Sequence, residues 1–236
     1  MEDKKAERIQ KSILNAAEKK ALVWLAQRQP KWMTSDLLTA IGSLGALLIG
    51  LGFYFASNNP NFLWLTIFGL FVNWYGDSLD GTLARVRKIE RPIYGYYLDH
   101  TVDCINELMM FLGLGLSSLM HLNLALLITI AYFLITINVS VNAHLKSEFR
   151  LTYAKLGPTE FRIIGAILCV LLMYIPGALS WNCVVNFMGN EIILKTMDIA
   201  GIAIFIILML MYFVSITMDA IGYAKIDPKD KSKKQN

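Results

Sequence analysis

Along most of the chain, apolar residues come in long unbroken runs rather than one-sided stripes. Six runs stand out, at about 37–56, 62–80, 96–118, 122–142, 160–177 and 197–218, each near the ~20 residues an α-helix needs to cross a hydrocarbon layer. The second is expected to continue as helix through Arg85, past the membrane edge. A soluble domain hides one such run in its core, but not six. The pattern predicts an all-α polytopic membrane protein with six transmembrane helices.

Residues 4–27 follow another rule. Ile9, Ile13, Leu14, Ala17, Ala21 and Leu25 recur at helical spacing among Lys4, Lys5, Arg8, Lys11, Lys19 and Lys20. This suits an amphipathic helix lying on an anionic bilayer surface. A solvated helix or a partner-binding arm is the alternative. The apolar core of a secretory leader is missing. The chain thus divides into a cytoplasmic surface helix (1–33), a transmembrane domain (34–225) and a basic tail (226–236), expected to be disordered beyond Asp227-Pro228. No internal repeat supports an inverted-repeat transporter.

Composition agrees with this division. The 236 residues are 56% hydrophobic, with a mean hydropathy of +0.49. The net charge of +4 matters less than its placement. The connections near 56–61, His121 and 177–191 carry no Lys or Arg. The opposite side holds the N-terminal helix, Arg85, Arg87, Lys88, Arg91, Lys146, Arg150, Lys155, Arg162 and the tail lysines. By the positive-inside rule, both termini face the cytoplasm. The three cysteines are scattered and imply neither a disulfide framework nor a zinc site. Nothing points to nucleic acid.

Against this apolar background stand Asp77-Ser-Leu-Asp80-Gly81-Thr-Leu-Ala84-Arg85 and Gly95-Tyr-Tyr-Leu-Asp99-His-Thr-Val-Asp103. Carboxylates at membrane depth are costly and rarely idle. On a helix, Asp77, Asp80, Gly81, Ala84 and Arg85 fall within an arc of about 140°. Gly95, Asp99 and Asp103 step by four and form one stripe. The short connection predicts antiparallel neighbours whose acidic faces meet. Four close carboxylates repel one another unless cations intervene, and hard divalent ions such as Mg²⁺ or Mn²⁺ fit oxygen ligands. His100 turns about 100° away from the stripe, which argues against zinc. Gly81, Ala84 and Gly95 leave the helix faces bare for a bulky ligand or for close helix packing. Arg85 is placed to hold a phosphate, and two metals plus an arginine make a diphosphate clamp. Asp103, last in the row, is the carboxylate chosen as general base. Asn73, one turn before Asp77, either extends the site or makes an interhelical hydrogen bond.

These residues resemble the signature of the CDP-alcohol phosphotransferase (phosphatidyltransferase) family: D-x-x-D-G-x-x-A-R, a stretch, then G-x-x-x-D-x-x-x-D. Every fixed letter is matched. One departure exists: nine residues separate Arg85 from Gly95, where the usual form has eight. Leu37-Leu38-Thr39-Ala40-Ile41-Gly42 also resembles the opening of the first span in many members. The resemblance implies that Asp77, Asp80, Asp99 and Asp103 hold two divalent metals, with Asp103 as general base. It implies that Asp80, Gly81, Ala84, Arg85 and Gly95 accommodate the cytidine diphosphate of the donor. The reaction it implies is attack of an acceptor hydroxyl on the phosphorus distal to cytidine, releasing CMP, in phospholipid synthesis. A homodimer is also implied.

The polar stretch 138–162 is the candidate for substrate specificity. Within it, Gly157-Pro158-Thr159-Glu160-Phe-Arg162 resembles the acceptor-binding region of several members, and Glu160 and Arg162 are candidate ligands for a zwitterionic or phosphorylated alcohol. A helix start, with Pro158 early and Glu160 favoured by the dipole, is the plainer reading. The expected function is transfer of a substituted phosphate from CDP-diacylglycerol to a small alcohol, at the cytoplasmic face of a membrane, a bacterial inner membrane rather than endoplasmic reticulum. Two alternatives stand beside it. In one, CDP-ethanolamine or CDP-choline is the donor and diacylglycerol the acceptor. In the other, a cation transporter uses the acidic cluster as an ion site.

Overall fold

The computed structural model describes residues 7–9, 15–146, 148–150, 158–187 and 189–227. The start of the predicted surface helix, Lys155, Gly157 and the tail from Pro228 lie outside the described residues.

The fold is all-α at its core. Helices α1 (Asn15–Arg28), α2 (Ser35–Ala56), α3 (Leu63–Arg87), α4 (Pro92–Gly115), α5 (Leu122–Lys146), α6 (Pro158–Tyr174) and α7 (Thr196–Ile226) follow the predicted runs closely. Their ends have local causes. Thr34 caps α2, its Oγ1 accepting from Leu37 N at 3.1 Å. As expected, α3 runs beyond Asp80 to Arg87, where Lys88 takes a left-handed conformation (φ 56°) and closes the last turn. Pro92 opens α4 at a position where its missing N–H costs nothing.

Among the described residues, three helices, α2, α5 and α7, are long and apolar enough to cross a membrane by length and composition. The charged residues within α3 and α4 interrupt their apolar runs. With 17 residues, α6 spans only about 26 Å.

Four short strands were not predicted. Glu7–Ile9 (β1) pairs in parallel with Glu148–Arg150 (β2), so the described N-terminal helix begins at Asn15 rather than near residue 4. Asn182–Phe187 (β3) and Asn190–Lys195 (β4) form an antiparallel hairpin where a plain connection was expected. Its two-residue turn includes Gly189 at φ 84°, a backbone that glycine adopts without strain. The β-branched pairs Val184-Val185 and Ile192-Ile193 flanking that glycine are the signal for it.

Helix α2 organises the bundle by packing closely on both α3 and α4. A methyl group added at Gly69 of α3 would lie 2.7 Å from Ile49 N, and one at Gly50 would lie 2.5 Å from Met109 O of α4. Such close approach needs small residues. By contrast, α3 and α4 themselves make no extensive backbone contact. The two helices are neighbours through their side chains: both lean on α2, and the space left between them is where their acidic side chains meet. Helix α6 packs on α3, and α7 on α5.

Apolar clusters close the two ends of the bundle. One contains Ala56, Leu63, Leu114, Leu119, Met120, Ile128, Cys169, Leu172 and Met197. At this end Asp198, 1% exposed, accepts from His121 N (2.8 Å), His121 Nδ1 (2.6 Å) and Lys195 N (2.7 Å). The other cluster joins Leu22 and Ala26 of α1 to Met33, Leu38, Leu79 and Leu83. Glu18 Oε1 accepts from Trp74 Nε1 (2.9 Å) on α3 and Thr159 Oγ1 (2.5 Å) on α6. Helix α1 is therefore built into the bundle, while Trp24 on it stays 54% exposed. Between α5 and α7, Asn142 Nδ2 donates to Asp219 Oδ2 (2.7 Å) and Tyr223 OH donates to Asn142 Oδ1 (2.7 Å).

Candidate active site

The second half of α3, the first half of α4 and the start of α6 surround one polar space. Asp77, Asp99 and Asp103, all half-buried, each place a carboxylate oxygen so that the three atoms lie within 4.8 Å of one another. Opposite oxygens on a six-coordinate Mg²⁺ are about 4.2 Å apart, given bonds of ~2.1 Å. Neighbouring oxygens on such an ion are about 3.0 Å apart, so the set closes on one hard divalent ion with side-chain shifts on the order of 1 Å. Its donors are oxygens alone, which suits Mg²⁺ or Mn²⁺ over softer metals.

Asp80, expected in the same cluster, is held elsewhere. Its Oδ2 accepts from Thr39 Oγ1 of α2 at 2.7 Å, its Oδ1 contacts Gly81 N, and Ser35 Oγ donates to its backbone oxygen at 2.9 Å. The signature's fourth aspartate thus faces α2, while the other three face the gap between α3 and α4.

Arg162 enters from the first turns of α6. Its Nη2 donates to Asp77 Oδ2 at 2.5 Å and its Nε to Asn73 Oδ1 at 3.0 Å. Asn73, buried, in turn donates from Nδ2 to Gly42 O at 3.0 Å. Both readings of Asn73 hold together: it ties α3 to α2 and positions the arginine. Glu160 is buried one residue beyond Thr159, and it is not among the residues lining the cavity beside Arg162. On α3, Arg85 lies along the face of Gly81, its Nη1 3.3 Å from where a methyl would stand there, and its Nη2 donates to Thr82 Oγ1 at 3.0 Å. Ala84 is half-buried. Gly95 is exposed, and a methyl there would meet nothing within 4 Å. The bare faces expected at these small residues are open at Gly95 and flanked by Arg85 at Gly81.

Two further surfaces adjoin the cluster. A cavity of about 70 Å³ lies one turn deeper, reached by Asn106, Glu107 and Tyr132 as well as Asp77, Asp103 and Arg162. An open groove of about 390 Å³ runs between α4 and α5, lined by His100, Thr101, Cys104, Thr136, Ile137 and Val141 among others. Asn106, Glu107 and Tyr132 were absent from the expected site. For Glu107 the signal was present: it extends the stripe Gly95-Asp99-Asp103 by one more step of four, inside an apolar run.

A family model, CDP-alcohol phosphatidyltransferase, matches residues 32–224. No curated protein matches the chain.

Proposed function

The chain belongs to the CDP-alcohol phosphatidyltransferase family, and on that premise we propose that it transfers a diacylglycerol phosphate from CDP-diacylglycerol to a small alcohol, releasing CMP. The convergence of Asp77, Asp99 and Asp103 carries this reading. It is an integral membrane protein, and in this reading all six helices α2 to α7 cross the bilayer, with the aspartates opening to the cytoplasm and α1 resting on the surface. A bacterial inner membrane and a homodimeric assembly complete the proposal.

Asp77, Asp99 and Asp103 are the residues that would hold Mg²⁺ or Mn²⁺, with Asp80, released from Thr39, as the fourth carboxylate of a two-ion site. The metal would supply charge neutralisation at the diphosphate and a better leaving group. Gly81, Ala84 and Gly95 admit the cytidine diphosphate against bare helix faces, and Arg85 pairs with phosphate oxygens. Arg162, held by Asn73, adds positive charge beside Asp77. Asp103 takes the proton of the acceptor hydroxyl as its oxygen bonds to the phosphorus distal to cytidine. The bond from that phosphorus to the bridging oxygen breaks, and CMP leaves with the electron pair. The apolar groove between α4 and α5 offers an acyl chain a path to the site from the lipid.

Purified protein given Mg²⁺, CDP-diacylglycerol and an alcohol should release CMP, and EDTA should stop it until Mg²⁺ is restored. CMP release that EDTA leaves unchanged rules out the metal-dependent reading; metal uptake into proteoliposomes without CMP release favours a transporter instead.

A further inference from the structure

We propose that the small cavity below Asp103 seats the primary ammonium of an amino alcohol, with Glu107 and Asn106 as the residues that recognise it. This rests on the transferase reading and adds the chemistry of the polar substrate.

The cavity is lined by Asp77, Asp103, Asn106, Glu107, Tyr132 and Arg162, among others. Asn106 is 5% exposed and Glu107 is 9% exposed. Asn106 Oδ1 and Glu107 Oε2 are buried acceptors with no hydrogen-bond partner among the described residues. Buried acceptors in folded proteins nearly always have a donor, so two of them on residues that line one cavity point to a guest that brings donors as the side chains turn towards it. The chain's own donors are committed elsewhere. Tyr132 is hydrogen-bonded to Glu107 and leaves Oε2 over. Arg162 is turned to Asp77 and Asn73.

The guest's chemistry follows from what faces it. A primary ammonium offers three N–H donors, no acceptor, and a charge opposite to that of a carboxylate. A quaternary ammonium has no N–H and would leave both oxygens unpartnered. A phosphorylated alcohol would set its anion against Glu107, while the one lining cation, Arg162, is already held by Asp77 and Asn73. Size agrees with this choice, since about 70 Å³ has room for an ammonium and its first carbons. Glu107 stands one helical turn from Asp103 on the same face, so an ammonium held there leaves the oxygen-bearing end of a two-carbon amino alcohol pointing towards the acidic cluster.

The same head group reaches this cavity in two ways: as a free amino alcohol accepting from CDP-diacylglycerol, or as the head of CDP-ethanolamine donating to diacylglycerol. Two arms distinguish them. In the first, purified protein with Mg²⁺ and CDP-diacylglycerol is offered ethanolamine, serine, choline, glycerol 3-phosphate or inositol. In the second, diacylglycerol is offered CDP-ethanolamine or CDP-choline. Both are read by CMP release and by mass spectrometry of the lipid. The expected result is a preference of about tenfold or more for a primary ammonium in one arm. In that arm Glu107→Gln should raise KM for the amino substrate about tenfold while kcat changes less than about threefold, a split that a merely structural role would not produce. The wild-type panel decides the matter on its own should Glu107→Gln fail to fold. CMP release that favours choline, inositol or glycerol 3-phosphate overturns the inference and leaves the transferase standing. No CMP release in any arm overturns both.

Discussion

Two carboxylate sites at opposite ends of this bundle have opposite electrostatics. Asp198 is buried almost completely, yet His121 N, His121 Nδ1 and Lys195 N donate to it, so both its oxygens are paired within the chain. Asp77, Asp99 and Asp103 crowd like charges together, with Arg162 held to Asp77 and His100 beside Asp99, and Glu107 beneath has an oxygen with no donor among the described residues. A carboxylate saturated by its own chain is mortar, here joining the α4–α5 turn to the hairpin and α7. Carboxylates crowded against one another favour a cation from outside. The family signature falls on the second end alone.

Substitutions should separate the two ends. The largest effect is expected at Asp103→Asn, which removes a proton acceptor and a metal ligand together. CMP release should fall by about 10³-fold or more while the protein still elutes as a folded species. Arg162→Ala should come next, lowering kcat/KM by roughly 10²-fold through lost positioning and charge, with partial recovery in Arg162→Lys. Asp198→Asn should reverse the pattern, costing about 3 kcal/mol of stability and lowering the thermal midpoint in detergent by about 5–10 °C. Its CMP release per folded molecule should stay at the wild-type level; a tenfold loss there would mean the two ends are not separate. The smallest effect is expected at Thr39→Val, which frees Asp80 from a hydrogen bond worth about 1 kcal/mol. Steady-state CMP release should change by no more than about fivefold, measured across a Mg²⁺ titration.

Much of this was written in the sequence because the membrane imposes simple rules. Long apolar runs must be helices, and α2 to α7 begin and end within a few residues of their predicted limits, apart from α7, which continues to Ile226. The steps of four in Gly95-Asp99-Asp103 translate directly into one helical face, and the aspartates of that face converge with Asp77. What one helix's periodicity cannot express is its neighbour's position. The wedge made by α2 between α3 and α4 depends on Gly50 and Gly69 meeting partners far along the chain. Asp80 is diverted by Thr39, a residue in a different helix that no local pattern connects to it. Tyr132 reaches Glu107 from α5 for the same kind of reason. The hairpin is not legible because its apolar, β-branched strands lie between two apolar helices, where a short connection is the ordinary outcome.

Helix α7 has 31 residues, about 46 Å of rise, set into an oily slab about 30 Å deep. With its first turn at the membrane edge on the hairpin side, as the proposed arrangement has it, roughly its last ten residues would overhang on the far side. Asp219 and Tyr223 lie on that overhang, gripping Asn142 of α5. In the proposed membrane arrangement their hydrogen bonds would therefore be made among lipid headgroups, where a carboxylate keeps much of its hydration, and the clasp between α5 and α7 would avoid the cost of a carboxylate in hydrocarbon.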